Sequence, residues 1–303
     1  LANFYNVDAK GNVISEVTGT LPDISKMPQL KYIDASFSNL SGQLPEQIGL
    51  CRNLQVLELS FNQLTGSIPA SISECADLQI LSVQNNKMSG EIPDLSALVN
   101  LGMPLDLGMG VTEPGRLYLN SNQFTGPFPE SVVMLPRLQR FSCANNKFSG
   151  PLPQDLGTME DCEAFFADHN QFTGPLPQVL PTKLWYLDLG YNQFTGAIPA
   201  KWQGATELGK ISLRNNNLSG SVPAIYKKLK NLDMIDIRSC RFSFADFKAW
   251  SAFIKNKDCI FRFGMQQAYS ELHKESVKSG SNVTFDATYP GSLIGDEHYR
   301  WYN

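Results

Sequence analysis

Apolar residues recur along this chain in a short, repeated figure. Two of them flank one variable residue, an asparagine follows three places later, and a further apolar residue leads into Gly and Pro. The segment LQVLELSFNQLTGSIP, from Leu54 to Pro69, shows the figure in full, and close copies begin at Leu78, Leu138, Leu184 and Leu208. Alternation with a period of two predicts a short strand whose two apolar side chains turn to the same side. Strands contributed by successive copies would then stack into a parallel sheet.

The glycines give the period. Gly19, Gly42, Gly66, Gly90, Gly126, Gly150, Gly174, Gly196 and Gly220 are each followed three residues later by Pro, and their successive spacings are 23, 24, 24, 36, 24, 24, 22 and 24. One supersecondary unit repeated at a fixed period of this size is the signature of a solenoid, in which each unit buries its apolar side against its neighbours. Gly allows the tight turn, and Pro suits a place where a sheet needs no N–H. The asparagines (Asn62, Asn86, Asn122, Asn146, Asn170, Asn192 and Asn216) follow the strand where the backbone turns inside the protein. They are expected to form a structural ladder, each amide satisfying carbonyl and N–H groups of adjacent turns. Ser38 and Cys240 take that place in the first and last full repeats.

This LxxLxLxxNxLxGxIP text resembles the plant-specific class of leucine-rich repeats, known from receptor-kinase ectodomains and polygalacturonase inhibitors, from about Val13 to Phe247. The resemblance implies a leucine-rich repeat solenoid: a right-handed α/β-type superhelix with short parallel concave strands and an irregular or 3-10 convex side. Plant members usually carry paired cysteines at both ends, and this chain lacks those pairs. The aromatic FxFxDF stretch (Phe242, Phe244, Asp246, Phe247), the MQQ exit and the later YRWY resemble exported, surface-associated repeat proteins of Bacteroidetes with a following immunoglobulin-like domain. The expected organisation is therefore a solenoid with an N-terminal cap over 1–240, a C-terminal cap over 241–268, and a linker with a partial immunoglobulin-like segment over 269–303. In that last segment, Val283, Phe285 and Ala287 alternate as in a half-buried strand, and the tail would be the start of a β-sandwich.

Composition narrows the function. With 42% hydrophobic and 18% charged residues the chain is expected to fold along most of its 303 residues. A formal charge of -4 provides no cationic footprint, so nucleic acid is not an expected partner. No apolar run reaches the roughly 18–20 residues that span a bilayer, so no transmembrane segment is expected, and a leader sequence, if there was one, has been removed. Six cysteines fall mainly on core positions: Cys143 at the second inward place, Cys162 at the first Leu place, Cys240 at the Asn place. Cys51 and Cys75 lie one repeat apart at equivalent places, where side chains run parallel and are seldom set for a disulfide. Free thiols are expected. The three histidines, His169, His273 and His298, are scattered, and neither a metal site nor any cofactor is expected. Sequons occur at Asn39, Asn217 and Asn282.

Function is expected on the outward positions of the strands, which line a concave surface roughly 40 Å long for nine strands at about 4.8 Å spacing. Its N-terminal third presents Tyr32, Asp34, Phe37, Val56, Glu58, Phe61, Ile80, Ser82 and Gln84 as exposed positions. Aromatic and charged residues converge in the later turns, and the ligand-binding set read from them is Tyr118, Arg140, Phe166, Asp168, His169, Tyr186, Asp188, Tyr191 and Arg214. No catalytic residue is expected. Asp168 and His169 invite a general-base role, yet consecutive strand residues point to different sides and no nucleophile is assigned beside them. The expected function is a non-enzymatic module, extracellular or on the cell surface, binding a protein or peptide, with a glycan ligand or a structural surface role as alternatives. For the structural alternative, a Ser/Thr column before each Gly (Ser41, Thr65, Ser89, Thr125, Ser149, Thr173, Thr195, Ser219) could form an ice-facing array or serve internal hydrogen bonds.

One interval breaks the rhythm. Between Gly90 and Gly126 the spacing exceeds 24 by 12, and the surplus lies in LGMPLDLGMGVTEPG, Leu101–Gly115. This is an inserted loop that could carry binding residues or merely pad a turn. Leu105-Asp106-Leu107 imitates the inward pair, so the sequence leaves open whether it or the following stretch occupies the sheet.

Overall fold

Ten strands of three residues stack in chain order into one parallel sheet: Tyr32–Asp34, Val56–Glu58, Ile80–Ser82, Arg116–Tyr118, Arg140–Ser142, Ala164–Phe166, Tyr186–Asp188, Lys210–Ser212, Met234–Asp236 and Ile260–Arg262. The computed structural model describes residues 6–7, 13–14, 19–22, 24, 27–108, 110–223, 228–242, 246 and 259–264. The segment read as an immunoglobulin-like start, 269–303, lies outside the described residues, as does most of the segment read as a C-terminal cap. From the latter, Ile260–Arg262 joins the sheet as its tenth strand, in register with Met234–Asp236.

In the nine strands from Tyr32–Asp34 to Met234–Asp236 the middle residue points inward and the flanking two point outward, as the period of two requires. Leu57, Leu81, Leu117, Phe141, Phe165, Leu187, Ile211 and Ile235 form the first inward column, and all are fully buried. After the turn the chain makes a second set of short parallel strands, among them Ser149–Pro151, Gln171–Pro175, Gln193–Gly196 and Asn217–Leu218. Phe124, Phe148, Phe172 and Phe194 stack behind them as a buried spine, with ring centroids 6.1–6.3 Å apart. Each fully buried phenylalanine contributes about 1.5–3 kcal/mol. On the far side, 3-10 turns at Glu46–Leu50, Ala70–Glu74, Glu130–Met134 and Ala200–Gly204 start directly after Pro45, Pro69, Pro129 and Pro199. Each proline caps its turn from the extended region, and its carbonyl accepts the first hydrogen bond of the turn, so the missing N–H costs nothing there. In the last of these turns Trp202 is buried, and its indole N–H donates to the Pro177 carbonyl at 2.7 Å.

The asparagine column is hydrogen-bonded on both sides. Asn146 accepts from the Phe124 N–H through Oδ1 at 2.9 Å, and its Nδ2 lies 3.0 Å from the Leu119 carbonyl and 3.1 Å from that of Cys143. Asn62, Asn86, Asn122, Asn170, Asn192 and Asn216 repeat this arrangement one turn at a time. At the end of the column the Cys240 thiol donates to the Leu213 carbonyl at 3.4 Å, the acceptor that an asparagine amide would use. The six cysteines are free thiols.

The surplus residues build a separate element. Leu105–Gly108 and Val111–Glu113 pair antiparallel as a hairpin, and Arg116–Tyr118 takes the regular place in the main sheet. The imitation LxL pair therefore belongs to the insert. The hairpin's neck is pinched: a Cβ on Gly115 would come within 2.0 Å of the Gly102 carbonyl, so only glycine permits the crossing. Leu105 then packs on Val56 and Ile80, with Tyr32 beside them, in an apolar cluster separate from the main core. Val56 and Ile80, expected to be exposed on the concave face, are buried because the hairpin folds over them. Glu58 and Ser82 are buried as well.

Candidate recognition face

Downstream of the hairpin the outward positions are open. Register sets Ser142 between Tyr118 and Phe166, so a small, buried residue forms the floor between two half-buried aromatics. Arg140, one position earlier, is exposed and has no ion-pair partner among the described residues; its neighbours in register are Arg116 and Ala164. Tyr118 has the Arg116 guanidinium 5.9 Å from its ring centre.

Beyond this notch the side chains meet. Phe166 and Tyr186 contact edge to face with centroids 4.9 Å apart, a favoured aromatic geometry. His169 and Tyr191 stack at 4.0 Å, and the Arg214 guanidinium lies 4.8 Å from the centre of the Tyr191 ring. Seven of the nine candidate residues, Phe166, Asp168, His169, Tyr186, Asp188, Tyr191 and Arg214, thus fall on three successive turns. Tyr118 and Arg140 lie on the two turns before them.

The charges in this patch are conditioned by burial. Asp188 is mostly buried, and that burial, reinforced by the charge of Asp168, pushes its carboxyl up to about 6. It still accepts a hydrogen bond from the Gly190 N–H at 2.9 Å, which closes the turn after the strand. Burial also raises the Tyr186 phenol, with Asp188 and Asp168 adding to the effect. Asp236, one turn beyond Ser212, is held by Arg238 at 2.6 Å.

Asp168 and His169 do not diverge as alternating strand residues would. His169 has left the strand and sits at φ 52°, which brings its Nδ1 to 2.7 Å from Asp168 Oδ2. Cys143 lies beneath this pair, fully buried, and burial, with Asp168's charge second, raises its thiol well above the usual range. It is therefore held protonated and offers no thiolate.

His169 belongs to a column that the repeat text did not reveal. The residue before each ladder position (Phe37, Phe61, Asn85, Ser121, Asn145, His169, Tyr191, Asn215, Ser239) adopts φ between 51° and 57°. That region costs a residue with a side chain about 1–2 kcal/mol, and asparagine tolerates it better than bulky residues do. Phe37 and Phe61 nevertheless occupy it, 51% and 43% exposed, with rings stacked 4.3 Å apart.

The leucine-rich repeat family model matches residues 53–75 and 137–159. This chain carries leucine-rich repeats. Its solenoid is similar to the ectodomain of the Arabidopsis receptor kinase HAESA, solved with the peptide hormone IDA and the co-receptor SERK1: 30% identity over 74% of this chain and 36% of that one, TM-score 0.64. It is also similar to a TDR receptor, with 31% identity over 81% of this chain and 40% of that one and a TM-score of 0.67. A plant ice-binding protein matches at 27% identity, over 68% of this chain and 63% of that one, TM-score 0.58. The chain thus spans 36–40% of the length of these two receptor chains. No curated protein sequence matches it. In this leucine-rich repeat solenoid, Ser41 and Thr65 of the Ser/Thr column donate to the carbonyls of Gly19 and Gly42 in the preceding turns, at 3.2 and 3.1 Å.

Trp185 and Lys210 adjoin the candidate patch. The Lys210 ammonium lies 4.9 Å from the Trp185 ring centre and 5.8 Å from that of Tyr186. Trp185 precedes its strand, at a lateral position with no apolar periodicity, so the repeat pattern carries no signal for it.

Proposed function

We propose that this protein is a non-enzymatic recognition module, secreted or displayed on a cell surface, which binds a protein or peptide across the open concave face from Tyr118 to Arg214. The observation that carries the proposal is the junction at the hairpin. N-terminal to it the chain's own apolar cluster covers Val56 and Ile80 on the concave face. C-terminal to it, Phe166, Tyr186 and Tyr191 stand half-buried to exposed among Arg140, Asp188 and Arg214. Aromatic and arginine anchors beside charged groups are the composition of an interface centre. The raised carboxyl of Asp188 points the same way, since a group kept ionised at a cost is a candidate functional group. HAESA, the Arabidopsis relative, is solved with a peptide hormone, which supports a peptide as the ligand class.

The test is binding of the intact chain to an array of peptides and surface proteins, alongside a Tyr118/Phe166/Tyr186/Tyr191→Ala variant. A ligand retained by the parent and lost by the variant, with melting unchanged, is the expected result. Ligands bound equally by both would move the site off this face.

A further inference from the structure

At the edge of the sheet where the strands begin, each turn contributes one residue just before its strand. Backbone hydrogen bonds join four of these into a column: Trp185 N donates to the Glu163 carbonyl at 2.8 Å, Gly209 N to Trp185 at 2.9 Å, and Asp233 N to Gly209 at 2.7 Å. Trp185 is 45% exposed, whereas Trp202 is fully buried. An indole left in solvent forgoes much of its burial energy, and its position here is built in. A Cβ added to Gly209 would meet Trp185 Nε1 at 2.4 Å and Cδ1 at 2.8 Å, so the ring lies over the place where another residue would project a side chain. The backbone at Gly209 does not require glycine, because its φ lies outside the left-handed region. The glycine makes room for the indole.

One charged group stands at this ring and two more occupy its column. Lys210 stands at it with Nζ 4.9 Å from the centroid. Glu163 and Asp233, at the same pre-strand place one turn before and two turns after Trp185, are exposed and make no direct ion pair among the described residues; Lys183, which pairs with Asp161, also feels the charge of Glu163. An incoming cation would be repelled by the ammonium already at the aromatic faces. An anion would meet two carboxylates. The remaining chemistry is a neutral ligand with an apolar plane for the indole and hydroxyls that donate to Glu163 and Asp233 and accept from Lys210. A pyranose ring has that combination, with C–H bonds on one face and hydroxyls at its rim, and it suits an aromatic residue that is apolar in body and polar at one edge.

We propose that Trp185, Lys210, Glu163 and Asp233 form a carbohydrate subsite for a neutral pyranose unit. The subsite lies beside the proposed protein-binding face and does not depend on it; Tyr186 borders both.

The test titrates the full chain with neutral hexasaccharides of β-1,4-glucose, β-1,3-glucose and β-1,4-mannose, read by calorimetry and tryptophan fluorescence. Saturable binding of at least one is expected, with at least tenfold weakening in Trp185→Ala and unchanged melting, because the ring is half exposed. Gly209→Ala, which displaces the indole without removing it, should also weaken binding and shift the emission. Tyr118→Ala, on the proposed protein-binding face, should leave saccharide binding intact, so failure of either proposal is distinguishable from failure of the other. Absence of saturation with all three sugars, equal binding by Trp185→Ala, or preferential binding of a trilysine peptide at Trp185 would overturn the assignment.

Discussion

Arg116 and Glu58, 58 residues apart in sequence, meet at 3.2 Å across two turns of the sheet, and the same guanidinium holds Glu113 of the hairpin at 3.2 Å. Burial works against the charge on Arg116, yet the two carboxylates outweigh it and hold its proton more tightly than usual. One cation thus ties the returning arm of the insert to Glu58, two turns back in the sheet. Arg116→Met would leave Glu58 largely buried without its partner, at a cost of about 1.5–3 kcal/mol for a charge-assisted bond. Faster amide exchange in Val111–Glu113 than in the core strands is the expected local signature. Adding Glu58→Gln should recover part of the loss, because a buried ion pair removed as a unit costs less than half of it removed alone.

Leu105 is the hairpin's apolar anchor. Leu105→Ser should release the hairpin from Val56 and Ile80 and cost about 1.5–3 kcal/mol of local burial. Dye binding to the exposed apolar strip should rise, while the cooperative melt of the main core persists.

Asp188 predicts a pH dependence of defined sign. Its folded-state carboxyl titrates at about 6, above the 3.9 of an unfolded aspartate. Between those values the folded state retains a proton that the unfolded state releases, so this group's contribution to stability falls as pH rises from about 4 to 6 and is constant above. Asp188→Asn keeps an acceptor for the Gly190 N–H. It should stabilise the protein by about 1–3 kcal/mol at pH 7.5, the order of the cost of ionising a buried carboxyl raised to about 6. The gain should vanish near pH 4, as followed by denaturant melts at the two values.

Tyr191 sits at φ 51°, where Asn145 and Asn215 occupy equivalent places. If its ring serves only the fold, Tyr191→Asn should destabilise through the lost stacking with His169. The expected result is the reverse: melting unchanged or raised by relief of about 1 kcal/mol of backbone strain, with partner binding weakened.

Asn146→Leu removes an amide that bonds four backbone groups in the protein interior. Each group left unpaired costs about 1–3 kcal/mol, so the melting midpoint should fall clearly. An unchanged midpoint would contradict the ladder.

Much of the fold was readable from the chain because a solenoid is written locally. Leu57 and Leu59, followed by Asn62 and Gly66, state the strand, the turn and the inward side, and the next copy states them again. The phase of the insert was readable in part. Leu117 and Leu119 precede Asn122 by the same intervals that Leu57 and Leu59 precede Asn62, whereas Leu105 and Leu107 have no asparagine at that distance. The candidate face was legible only as a set of outward positions. That Val56 and Ile80 would be covered, that His169 would turn back onto Asp168, and that Trp185 would lie over Gly209 depended on residues outside the repeating figure.

By itself, then, the sequence determined the repeat, its register and its buried columns. Each turn touches only its neighbours, so one local pattern, copied, is enough to specify the stack. Tertiary structure alone decided which outward residues are open and which meet. The hairpin's docking, the left-handed column and the stacking of rings across turns join residues through space at separations that carry no periodic trace.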